Sequence, residues 1–72
     1  MTNQIIVNTF VNTCGFMYSM LIRNGLTGDQ LKNDVIDLLM KHFTECGNYS
    51  LEQYSELADD CISALYSSDW FK

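Results

Sequence analysis

Proline is missing from this chain and glycine occurs only four times, so neither a collagenous repeat nor a Pro-rich linker is present. Basic side chains are almost as scarce. Arg23, Lys32, Lys41 and Lys72 are the whole complement, and they are scattered. Holding a phosphate backbone takes clustered Lys and Arg that displace counterions, which argues against direct nucleic-acid binding. The same shortage argues against an anionic membrane surface. Three cysteines, an odd number without a C-x-x-C pair, make no disulfide framework. The N-terminus lacks the basic start of a secretory leader, so the expected compartment is a reducing cytoplasm, of the producing or a host cell. Gly-rich phosphate loops and EF-hand spacing are also missing.

What the chain does have is apolar residues and acid. It is 72 residues long, 47% hydrophobic and 12% aromatic, with nine acidic residues and a net charge of −5. That length makes one domain, 1–72, burying only about 60% of its unfolded surface, so the margin of stability is thin. The chain opens on Met1 and shows no tag or linker to a second domain, which fits a whole gene product.

The stretch QIIVNTFVNTCGFMYSMLIR, Gln4 to Arg23, has one charge, at its far end. At helical spacing Ile6, Val7, Phe10, Val11, Cys14, Met17, Tyr18 and Leu21 form one broad stripe. Ile5, Phe16 and Met20 fall roughly opposite, among Asn8, Thr9, Asn12, Thr13 and Ser19. The span is long enough to cross a membrane, but those polar residues interrupt it more than a lipid-facing helix tolerates. A helix apolar on two sides is expected to be covered by its own chain on one and by another molecule on the other.

Thr2 or Asn3 can cap this helix, Gly15 offers another helix a close approach, and Asn24-Gly25 should end it. After Leu26-Thr27-Gly28, a second helix carries Leu31, Val35, Leu38, Leu39 and Cys46 on its inner face, with His42 among them and Ile36 and Phe43 at the edge. Asp37 and Lys41 are spaced for an i,i+4 ion pair. Ser50-Leu51-Glu52-Gln53 reads as a capping box, with Tyr49 and Tyr54 as a hydrophobic staple. The third helix has Leu51, Tyr54, Leu57, Ala58, Cys61, Ile62 and Leu65 inside. Ser67-Ser68-Asp69 should fray or restart a short turn before Trp70-Phe71. The expected fold is all-α, a compact three-helix bundle over approximately 3–24, 28–46 and 50–67.

Candidate chemistry is thin. Cys14, His42, Cys46 and Cys61 are the residues able to make a soft-metal site, His42 and Cys46 being one turn apart. Each cysteine also falls on an apolar stripe, where it serves as a small hydrophobe. Asp59 and Asp60 are adjacent and point about 100° apart, so they are not a catalytic pair. A pocket of about 300 Å³ or more is not expected in so small a chain. Helices two and three resemble a helix-turn-helix in outline, but the second begins with carboxylates and no cation. Asn48-Tyr49-Ser50 is a glycosylation sequon without meaning in a reducing compartment.

The expected function is therefore contact: a small acidic, non-enzymatic protein–protein interaction module without cofactor. It would self-associate, as a homodimer, or block another protein by steric occlusion. Ile5, Phe16, Met20, Trp70 and Phe71 are the candidate partner-binding residues, because aromatic and methionine side chains are favoured at interface centres. Trp70 serves equally well as a cover for the open end of the core. Glu52, Glu56, Asp59 and Asp60 form an acidic face that orients a basic partner. In size and acidity alone the chain resembles phage or mobile-element inhibitors that block a host enzyme, a resemblance that implies a blocking role and transfers no site. Two alternatives stand beside this reading: a zinc-stabilised structural module built on the Cys and His set, and an acidic nucleic-acid mimic.

Overall fold

A computed structural model describes residues 3–43 and 49–71. Among them the chain forms three α-helices, α1 (Asn3–Arg23), α2 (Gly28–His42) and α3 (Leu51–Tyr66), and a C-terminal 3-10 turn, Asp69–Phe71. It is an all-α three-helix bundle with no strand among the described residues. The long dimension, 33 Å, is close to the ~31 Å that a helix of α1's length spans.

The helix ends follow their sequence signals. Gly25, at φ 108°, closes α1 in a Schellman motif: Leu26 N–H donates to the Leu21 carbonyl at 2.9 Å and Gly25 N–H to the Ile22 carbonyl at 3.0 Å. Ser50 caps α3 in a complete capping box, and Tyr49 packs its ring 5.7 Å from that of Tyr54, the predicted staple. Tyr49 also donates its hydroxyl to Asn3 Oδ1 at 2.7 Å, tying the start of α3 to the start of α1. Asn3 is the first residue of α1, and Thr2 lies outside the described residues.

Helix α2 is shorter than the pattern predicts. It ends at His42, because Phe43 leaves helical geometry (φ −116°, ψ 85°) as its ring turns into the core. The predicted continuation through Cys46 falls mostly on residues outside the description. The Asp37–Lys41 pair forms at 2.9 Å, and Lys32 reaches Asp59 of α3 at 3.1 Å. Both pairs lie at the surface, where solvent and salt screen them, so neither contributes much to stability.

The core joins Ile6, Val7, Phe10 and Tyr18 of α1 to Leu31, Val35, Leu39 and Phe43, and to Tyr54, Leu57, Ala58, Cys61 and Leu65 of α3. Helix α3 is the keystone: it packs along both α1 and α2, which meet each other only sparsely. That arrangement corrects several expected core positions. Met17 and Leu21, predicted inside, are exposed, because α2 leans on α3 and leaves an open groove beside them. Leu38 is only half-buried and His42 is exposed for the same reason. Ser19, predicted outside, is buried and donates to the Phe16 carbonyl at 2.7 Å. Leu51, predicted inside, is 74% exposed at the first position of α3, and Tyr54 is the first residue of that helix to enter the core.

Candidate interaction surface

The outward line of α1 runs through Thr9, Asn12, Thr13, Phe16 and Met20, all exposed. Phe16 is 60% and Met20 47% exposed, and Met17 and Leu21 adjoin them on the groove side. Ile5 is also exposed but sits 11 positions before Phe16, ~16 Å along the axis, with polar Asn8, Thr9, Asn12 and Thr13 between. The predicted second stripe is therefore a compact apolar patch at the C-terminal half of α1, with Ile5 apart from it.

Trp70 extends the patch. Its indole lies directly against Gly15, where an added Cβ would overlap Nε1 and come within 2.6 Å of Cδ1. Gly15 thus admits a side chain from the C-terminal turn, where a second helix was expected. The same indole meets Phe16 edge-on, centroids 5.7 Å apart at 69°. Arg23 pins the turn, donating from Nη2 to the Trp70 carbonyl at 2.6 Å with its guanidinium 5.4 Å from the Phe71 ring centre. Phe71 stacks on Tyr66 at 5.2 Å and is half-buried. The two aromatic residues are therefore used differently. Phe71 fastens the turn, whereas Trp70 covers α1 on one side and stays 38% exposed on the other.

Two hollows border this patch. One of ≈420 Å³, between α1 and the turn, is lined by Val11, Asn12, Ser68, Asp69 and Trp70. The groove between α1 and α2, ≈230 Å³, is lined by Met17, Tyr18, Leu21, Leu38, His42 and the Asp34, Asp37 and Lys41 side chains. At its floor Tyr18 donates its hydroxyl to Asp34 Oδ2 at 2.7 Å. Burial, reinforced by that hydrogen bond to a carboxylate, pushes the Tyr18 phenol well above its ordinary pKa. The hydrogen bond to Asp37 raises Lys41. A third hollow, ≈350 Å³, lies between α1 and α3 beside Asn3, Gln4, Asp60, Ser63 and Ser67. Volume alone therefore does not exclude a small ligand, as the length of the chain had suggested. All three hollows are open to solvent rather than enclosed.

Among the described residues the proposed zinc set is not gathered. Cys61 is fully buried on α3, Cys14 half-buried on α1 and His42 exposed at the end of α2, and Cys46 lies outside the described residues. No group of three or more His, Cys, Asp or Glu converges among the described residues. Glu52, Glu56, Asp59 and Asp60 are all exposed along α3, and Asp59 is held by Lys32.

By length and composition α1 can cross a membrane, with a mean hydropathy of 1.5, and a third of that apolar stretch is buried in the bundle. No family model, curated protein or solved structure matches this chain.

Proposed function

We propose that this chain is a small non-enzymatic protein–protein interaction module that docks through the outer side of α1 and Trp70 and acts by occupying a surface of its partner. One observation carries the reading. Phe16, Met20 and Trp70 form a contiguous exposed apolar patch on a helix whose other side is already filled by core residues. Large exposed aromatic and methionine side chains grouped in this way mark interaction surfaces. A rigid helical bundle that presents them pre-organised limits the ordering cost of binding. Glu52, Glu56 and Asp60 on α3 have no cation partner among the described residues, so their carboxylates form a solvated side away from the docking face. Blocking of a partner protein by steric cover is the mode of action that such a surface serves.

The test is to replace Phe16 and Met20 with serine, singly and together. Circular dichroism and a thermal melt should report an intact bundle, with Met20→Ser changing stability by less than about 0.5 kcal/mol and Phe16→Ser, which loses the edge contact with Trp70, costing about 0.5–1.5 kcal/mol. Loss of helix or a collapse of the melting temperature would identify the patch as part of the core and end this reading.

A further inference from the structure

We infer that the partner of the α1 patch is a second copy of this chain, docked antiparallel about a two-fold axis that passes beside Phe16. The inference rests on the docking role proposed above and adds the occupant. Its basis is the segregation of charge. No Asp, Glu, Lys, Arg or His precedes Arg23, and all nine carboxylate residues lie beyond Gly28, on α2, on α3 or in the segments flanking them. Arg23 itself is turned toward the Trp70 carbonyl and the Phe71 ring. The molecule thus carries its net −5 on α2 and α3, and α1 bears no carboxylate and a single charge, Arg23, at its last residue.

That layout discriminates between partners. A basic protein drawn by the acidity would meet α2 or α3, where the carboxylates are, and would leave the α1 patch unused. A second copy repels this one at every carboxylate-bearing face, and α1 is where that repulsion is least. A stable interface takes about 800 Å² from each partner, roughly a sixth of this chain's 4605 Å². The apolar part of the patch is smaller, on the order of a few hundred Å², so the exposed polar residues beside it, Thr9, Asn12 and Thr13, complete the interface.

The register follows from the same surface. A parallel pair would set Arg23 against Arg23 and Met20 against Met20. An antiparallel pair crossing at Phe16 sets each Met20 against Asn12 of the other copy, at the mouth of the ≈420 Å³ hollow lined by Val11, Asn12 and Trp70. It also sets Arg23 against the hydroxyl-bearing Thr9. Such an interface is self-complementary and closed, as two-fold pairs are.

Sedimentation equilibrium from about 1 to about 500 µM measures the pairing. The native chain should dimerise. Asn12→Glu and Met20→Lys should each raise the dissociation constant about tenfold or more. Combined in one chain they should restore it to within about threefold, because the antiparallel register sets each new acid against the other copy's new base. Met40→Ser, at an exposed methionine of α2, should change nothing. A native chain that stays monomeric throughout overturns the inference, and so does a double variant no tighter than its parents. Flotation of a monomer with neutral phosphatidylcholine vesicles would also overturn it and assign the face to lipid. A native monomer whose Phe16→Ser variant keeps its helical fold refutes only the second copy, leaving the docking role to a different protein. A native monomer that Phe16→Ser unfolds refutes both.

Discussion

Gly15 occupies a position that any side chain would contest with Trp70. In the middle of a 21-residue helix glycine costs about 1 kcal/mol relative to alanine, and the contact with the indole is what offsets that cost. Gly15→Ala should therefore dislodge Trp70, shifting its fluorescence to the red, and lower stability despite the better helix propensity. In a Trp70→Ala background the same replacement should instead stabilise by up to about 1 kcal/mol, since nothing remains to clash. A denaturation cycle over the four chains reads this change of sign, and additive effects would mean that the two residues do not meet. Tyr18 makes a second prediction. Its folded pKa is raised from 10.0 by burial and by Asp34, so the folded state holds the proton more tightly than the unfolded one. The resulting stability is intact below pH 10 and is lost as pH climbs toward the folded value. Tyr18→Phe should cost about 1 kcal/mol at neutral pH and make the alkaline decline shallower. Urea titrations of both chains at pH 8 and pH 11 decide it, and parallel declines would acquit Tyr18.

At the level of helices, the ends were legible because their chemistry is local. Ser50, Gln53 and the flanking tyrosines announce the start of α3 within six residues, and Asn24-Gly25 announces the stop of α1. Ser50→Ala should cost about 1 kcal/mol, whereas Leu51→Ser, one position on, should stay within about 0.5 kcal/mol because Leu51 is exposed. The two melting curves provide the comparison, and equal losses would contradict the cap. The sides of the helices were legible only in part. Periodicity gives the angle at which a residue leaves the axis but not which neighbour lies there. Ile6, Val7, Phe10 and Tyr18 enter the core as their pattern implies. Ser19 is buried and Met17 exposed for a reason that lies beyond α1. The cover on the Gly15 side comes from Trp70, 47 positions after Arg23, and α2 rests on α3 instead of closing over Leu21. A pattern read within one helix contains neither fact. The patch itself could be found because Phe16 and Met20 break the polar run opposite the core, and Trp70 was a candidate as well, but its contact with Phe16 depends on the turn folding back over Gly15, which no pattern within α1 contains.

For the whole molecule, the question is what a thin stability margin does to a chain with one helix free of carboxylates and two that bear them. Leu57 is fully buried on the helix that both others share, so Leu57→Ala should cost about 2–5 kcal/mol. That is a large part of the total stability available to a domain of this size. Pairing through α1 adds to that margin by mass action, so the melting temperature should rise with protein concentration. Salt then separates the two kinds of partner that the surface can take. Between two bodies of charge −5 added salt screens repulsion, and at about 0.5 M the Debye length falls to roughly half its 0.1 M value. Pairing driven by Phe16, Met20 and Trp70 should therefore tighten severalfold as sodium chloride rises. Attachment to a basic protein through the acidic faces of α2 and α3 should loosen over the same range. Sedimentation at low and high salt registers the direction, and a dimer that dissociates with added salt would place its contacts among the carboxylates instead of along α1.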